Sequence, residues 1–352
     1  MSTANVKHKR LAVIIMSYIC LIISLGSIAG CSFNGGPRGR AGHLPTDTHG
    51  IDFPNPDKLG KHSYGVTLYE VGGIIYTCKA GHLDLGHIRG NADNTKFLVK
   101  RVRDTLSKNN DGFGFTITGE LSRHSVNFTY PQDWESNPNK ESVIEEIALA
   151  TGPYLSHQAT VWHEILTWFG VHFMGFEQEF NSAFSWEDMY SNVLGTQLAV
   201  QALKTPGKSF DQAMTDLLNV KLKQLNVQPK EVAVKASDKM RDIWYTGNLT
   251  PDMKIRHLDI GLDGYITPNI VPGIEECSDA PVPIAVPNLN VLRSHGFDIT
   301  HRVSPNVLEQ GKIYKAAGTK KIYPEQHYPV IMAEIKRQAI QKGYKIIEET
   351  PR

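Results

Sequence analysis

One stretch, residues 157–195, restricts the fold more than any other. It reads HQATVWHEILTWFGVHFMGFEQEFNSAFSWEDMYSNVLG and packs three histidines and four glutamates into the span of two expected helices. At about 100° per residue, Trp162, Ile165, Trp168 and Phe169 share one sector. Leu155, Val161 and Leu166 lie beside them, completing the broad apolar stripe of a core-facing helix. His157 and Glu164, about two turns apart, project along nearly one line, and His163 falls on the far side from the stripe. The polar groups of this helix therefore look into a cleft or into water.

The His163-Glu164 pair invites comparison with zinc peptidases, in which HExxH places two imidazoles one turn apart with a glutamate base between them. Thr167 stands where the second histidine would be, so that pattern is absent. A looser site remains open, because catalytic zinc needs only three protein ligands. A surface ion pair is the plainer alternative.

A second dense stretch is CKAGHLDLGHIRGNADNTKF, residues 78–97. His82, Asp84, His87 and Arg89 crowd between glycines, where a strand-to-helix turn lets backbone and ligand approach closely. Asn91 or Asp93 is then expected to cap a helix running through Leu106. The plain reading is a polar turn in which Asp84 satisfies loop amides and Arg89 makes a salt bridge.

The N-terminus speaks to location. Lys7, His8, Lys9 and Arg10 form a positive region, residues 11–25 an apolar run too short for an ordinary span, and Ile28-Ala29-Gly30-Cys31 closes it. That tetrapeptide resembles a bacterial lipobox. It implies cleavage before Cys31, lipid on its sulfur, and with Ser32 following, outer-membrane sorting with the protein facing the periplasm. A plain anchor helix is the alternative. Once Cys20 leaves with the leader and Cys31 carries lipid, only Cys78 and Cys277 remain. They can pair in an oxidising compartment or stay reduced and buried.

Residues 31–61 are rich in Gly, Pro, Asn and Asp without apolar period, as in a flexible tether. Beyond it, residues 66–78 suggest a strand or two and residues 113–130 a β-hairpin. A long helical region follows, which Gly152-Pro153 should break or kink. Ser185 with Asp188 and Ser209 with Gln212 are capping boxes for helices ending near Leu203 and Leu225, and a further helix is expected over 231–244. Between Arg256 and Pro272, His257-x-Asp is a candidate contributor to a site, and the plainer reading is a loop in which the aspartates bond their own backbone. Residues 324–343 read as an amphipathic helix with Val330, Ile331, Ile335 and Ala339 inward. The fold expected is α+β. A leader (1–30) and tether (31–61) precede a single domain (62–352), whose helical middle packs against a small, mostly antiparallel sheet around one contiguous core.

The lipobox together with TCKAGHLDLGHIRGNAD, HEILTWFG, SAFSWEDMYSNVLG and HLDIGLDGYITPNIVPG resembles a bacterial domain-of-unknown-function family of lipoproteins, the one numbered four-zero-five-six. The resemblance implies a fold relative and a compartment. It implies no reaction and transfers no catalytic residue.

With 37 basic against 36 acidic residues, a formal charge of +1, the chain lacks the basic bias of a nucleic-acid binder. Two function classes remain. In the enzymatic one, His87, His163 and Glu187 hold zinc or another divalent metal, or serve acid–base work, with Asp84 and Glu164. Arg89 holds an anionic group, and an envelope component is hydrolysed. In the other, a lipid-anchored binding or assembly protein meets the membrane through Cys31, and the same polar residues are structural.

Overall fold

The computed structural model describes residues 36–40, 42–46, 53–65, 70–117, 120–170, 178–248, 251–307 and 309–347. The leader, Cys31 and the start of the expected strand at 66–69 lie outside them. A hairpin of β1 (Ile74–Thr77) and β2 (Gly81–Asp84) runs directly into α1 (Leu85–Ser107). Strands β3 (Gly112–Phe115) and β4 (Arg123–Thr129) form the second hairpin. Then come α2 (Lys140–Trp168), α3 (Asp188–Leu203), α4 (Phe210–Gln224) and α5 (Lys230–Met240). The last third holds β5 (Ile255–His257), β6 (Tyr265–Ile266), β7 (Ile284–Ala285), α6 (Asn290–Ser294), β8 (Asp298–Ser304), α7 (Gln310–Ala317), α8 (Pro324–Gln341) and β9 (Lys345–Ile347).

The chain is α+β, and its strands form several small sheets. The three-stranded one, β3-β4-β8, is antiparallel, whereas β5 pairs with β9 in parallel. The helical middle is a layer in which α1 packs on α2 and α3 more extensively than any other pair of elements.

Helix α2 does not break at Gly152-Pro153. Proline removes one amide and costs roughly 3 kcal/mol inside a helix, but tight packing on α1 holds the turn. A Cβ at Gly152 would stand 2.4 Å from Val99 Cγ2 and 2.7 Å from its amide nitrogen. Helix α1 begins earlier than Asn91 or Asp93 would place it, because Asp84 already caps it by accepting the Gly86 amide at 2.6 Å. His87, Arg89, Asn91 and Asp93 therefore all stand on the helix. The capping box of Ser209 and Gln212 is present at α4.

Trp162, Ile165, Phe169, Leu194 and Leu198 share one buried cluster. The core is not one contiguous body, however. Separate clusters form under β3-β4 (Val102, Phe115, Trp134, Leu155) and around Trp186, Tyr76 and Tyr245. A buried polar layer lies in the helical middle: Asn91 Oδ1 accepts from Thr160 Oγ1 at 2.6 Å and Ser156 Oγ at 3.3 Å, and its amide donates to Asn192. In α8, Ile331, Ile335 and Ala339 face inward as expected, but Val330 is 48% exposed and Tyr328 and Met332 complete the stripe.

The described part of the expected tether is packed. Phe53 and Leu59 are 1% and 3% exposed, and Arg40 sends its guanidinium to Asp93 Oδ2 at 2.8 Å. The segment is rich in turn-forming residues, yet its arginines meet buried carboxylates and it is held. Cys78 and Cys277 are joined in a disulfide, their Cα atoms 5.1 Å apart. Among the described residues no helix is long and apolar enough to cross a membrane.

Candidate functional site

Where β2 turns into α1, Asp84 is wholly buried and its backbone amide donates to Ser191 Oγ at 3.0 Å, fixing the junction to α3. One turn on, His87 Nδ1 lies 3.3 Å from Asp84 Oδ2 and 3.0 Å from Asp188 Oδ1. Asp188 opens α3, and its other oxygen accepts the Ser185 amide at 3.0 Å. The expected capping box forms only by half: Glu187 is the N-cap of α3 and Ser185 Oγ turns to Glu187, but the Asp188 carboxylate that holds the Ser185 amide also grips His87.

Burial would lower the pKa of His87, but Asp84 and then Asp188, with Glu164 farther off, outweigh it and push it up to about 10. The ring is an imidazolium at neutral pH. Burial likewise acts to raise Asp84, yet His87 and His43 hold its carboxyl below the ordinary value.

Glu164 reaches the same place from the end of α2. Its Oε2 accepts the Phe184 amide at 2.7 Å. Phe184 is a non-glycine residue with φ 56°, a backbone conformation that costs energy and that tends to cluster at working sites. Burial, then the charge of Asp188, raise the Glu164 pKa to about 7, against the pull of His163, the Phe184 amide and His87. A cleft of about 270 Å³ opens here, with His43, His87, His163, Glu164 and Asp188 in its walls.

The cleft brings His87, His163 and Glu164 together, with Asp84 behind His87. Glu187 lies beneath: it is 1% exposed, accepts Ser185 Oγ at 2.5 Å, and is raised well above the ordinary carboxyl value by burial and by Asp188. His163, its side chain 48% exposed, stands 3.0 Å from Glu120 Oε1. These placements do not make a metal cage. His87 Nδ1 is engaged by two aspartates, Glu187 turns to Ser185, and among the described residues no group of three or more His, Cys, Asp or Glu is arranged to hold an ion.

Arg89 does not reach the cleft. Two residues past His87, it points to the other side of α1. There its guanidinium donates to Val71 O at 2.6 Å and Leu59 O at 2.9 Å. It ties down the incoming chain and cannot hold a substrate anion from that position.

His82 and His157, the remaining described histidines of the dense stretches, are structural. His82 accepts from Trp186 Nε1 at 3.3 Å and faces Ala233 O, and His157 faces Ile260 O at 3.1 Å. Burial lowers both to about 4. In the loop after β5, Asp259 accepts the amides of Gly261 and Thr267, and Asp263 that of Tyr265. The sequence expectation for that loop holds.

A model of a protein family described as of unknown function, DUF4056, matches residues 52–255. The chain belongs to that family. No curated protein matches it, and no solved structure does. The family match spans Asp84, His87, Glu164, Glu187 and Asp188, but begins after His43. Sequence reasoning had no means of finding His43, one of two histidines in the Gly- and Pro-rich stretch 31–61. Asp188 carried a signal as a capping residue only.

Proposed function

We propose that this member of the family is an exported, lipid-anchored hydrolase whose cleft works by acid–base chemistry on a cell-envelope component. The observation that carries the reading is Glu164: a carboxyl raised to about 7, held by the Phe184 amide, in one cleft with the imidazolium of His87. A group that titrates near neutral pH can both take and give a proton in one cycle. Glu164 accepts the proton of the attacking water and releases it as products leave. His87, kept cationic by Asp84 and Asp188, offers a fixed positive charge where negative charge develops.

The envelope as compartment rests on the leader and the Cys31 lipobox. The Cys78–Cys277 disulfide agrees with an oxidising compartment. Replacing Cys31 by serine is expected to abolish fatty-acid labelling and leave an unprocessed precursor. Labelling that persists in the variant refutes the anchor.

The activity is tested by incubating the protein and its Glu164→Gln variant with peptidoglycan sacculi, phospholipid vesicles and peptides, and following product release. Turnover of one class, reduced about 100-fold or more in the variant, is expected for loss of an acid–base group. Binding to one of these materials without turnover, unchanged by Glu164→Gln, would instead establish a binding or assembly protein.

A further inference from the structure

Residues 36–40 and 42–46 form a strap across the mouth of the β2–α1 junction, fastened on both sides of His43. On one side Arg40 Nε and Nη2 reach Asp93 Oδ2 at 3.0 and 2.8 Å, and Nη2 also donates to Ser63 O at 2.9 Å. Arg38 and Arg40 both pair with Glu70. On the other side Pro45 O accepts Ser237 Oγ at 2.8 Å. Between the fastenings, the His43 amide donates to Asp84 Oδ2 at 2.8 Å and its ring Nδ1 lies 3.6 Å from Asp84 Oδ1. The ring is 28% exposed and stands in the cleft wall with Glu164 and His87.

We propose that His43 is a further acid–base residue of this cleft, carried in by the strap and oriented by Asp84. The inference rests on the acid–base reading of Glu164. Asp84 therefore serves two imidazoles. His87 is also gripped by Asp188; His43, held to Asp84 through its backbone amide, brings a second imidazole into the cleft wall beside Glu164. It protonates the leaving group as Glu164 takes the proton of the attacking water, and the two exchange that proton through solvent to reset the site. Two glycines make room for the arrangement. A Cβ at Gly72 would stand 2.7 Å from His43 Cε1, and a Cβ at Gly42 would stand 2.7 Å from His87 Nε2.

Two measurements on the full chain test it. In protein labelled with 15N-histidine, with the His43 signals assigned by comparison with His43→Gln, the neutral ring is expected as the Nδ1–H tautomer, because the Asp84 carboxylate lies 3.6 Å from that nitrogen and favours a proton there. The Nε2–H tautomer overturns the proposal, whatever becomes of the hydrolase reading. On a substrate turned over by the wild type, His43→Gln is expected to lower kcat about 100-fold with KM nearly unchanged. The defect should shrink on an analogue whose nitrophenolate leaving group needs no proton. Gly72→Ala, which displaces the ring while keeping the histidine, should give the same pattern. A His43→Gln enzyme with full activity, or one equally slow on both leaving groups, refutes the role of His43 alone if Glu164→Gln is inactive. An active Glu164→Gln enzyme refutes the reading of Glu164 instead.

Discussion

Replacing Glu164 by glutamine isolates the group on which the mechanism depends. Gln retains an oxygen for the Phe184 amide but cannot ionise, so the comparison removes charge and keeps the hydrogen bond. The folded pKa is raised from 4.5 to about 7. Ionising Glu164 therefore costs the folded state more than the unfolded one. Its contribution is neutral below 4.5, and stability is lost as pH rises from there towards 7, with no further loss above. At about 1.36 kcal/mol per unit, the shift amounts to roughly 3 kcal/mol in full, of which roughly 2.5 kcal/mol develops between pH 5 and 8.5. At roughly 2.1 cal/mol/K per residue, that is about 3 °C in Tm for a chain of this length. The assay is a pair of thermal or urea melts at each pH, read as the difference between variant and wild type, so that groups titrating alike in both proteins cancel. Glu164→Gln should gain on the wild type by that amount as pH rises. Parallel profiles, within about 0.5 kcal/mol throughout, would mean that Glu164 is an ordinary carboxylate and would remove the ground for assigning it proton transfer.

Trp162, 0% exposed and stacked on Tyr328 with ring centroids 6.1 Å apart, should cost roughly 3–5 kcal/mol on truncation to alanine; a loss under about 1 kcal/mol in denaturant melts would mean that its face is not core. Gly195→Ala would place a Cβ 2.1 Å from the Ile88 carbonyl oxygen, so α1 and α3 must part, and a loss of at least about 2 kcal/mol is expected; a melt like the wild type would show that the helices are not this close. His82, His157 and His257 are lowered to about 4 and His301 to about 3, all by burial. Their depressed values make stability present above 6.5 and lost as pH falls towards 4, so unfolding monitored by circular dichroism should set in over that window; a melt independent of pH there would show that these rings are not held neutral.

Local signals carried the fold far. The capping box at Ser209, the alternation around β4 and the stripe through Trp162 are properties of a few neighbouring residues, and each element stands where they put it. What failed was tertiary. Pro153 forbids a helical hydrogen bond, a local fact, but Gly152 packed on Val99 decides whether the helix survives. Val330 fits the apolar period, yet which flank of α8 is covered depends on what packs there, and Tyr328 and Met332 take that place. The single core expected from composition is divided because Asn91, Ser156 and Thr160 satisfy one another inside the helical layer, and spacing along the chain cannot reveal that partnership.

The site divides along the same line. Asp84, His87 and Glu164 are visible as residue types because two short stretches are dense in them. Their roles are completed by partners far away in sequence: Asp188 adds to the near neighbour Asp84 in making His87 a cation and to burial in raising Glu164, and Phe184 supplies the amide that holds the carboxyl in place. Arg89 shows the converse. Its neighbourhood in sequence suggested anion binding, but a two-residue step on a helix sends it to the opposite face, where Glu70 and two carbonyls hold it. A histidine next to a carboxylate is therefore no index of chemistry in this protein; His82 and His87 are five residues apart, and one is a neutral strut while the other is a charged wall. What separates them is their partners, a backbone carbonyl and the Trp186 indole for His82 and two carboxylates for His87. His43 shares Asp84 with His87 but reaches the cleft wall from outside both dense stretches, so its place beside Glu164 comes from the fold and from no neighbour in sequence.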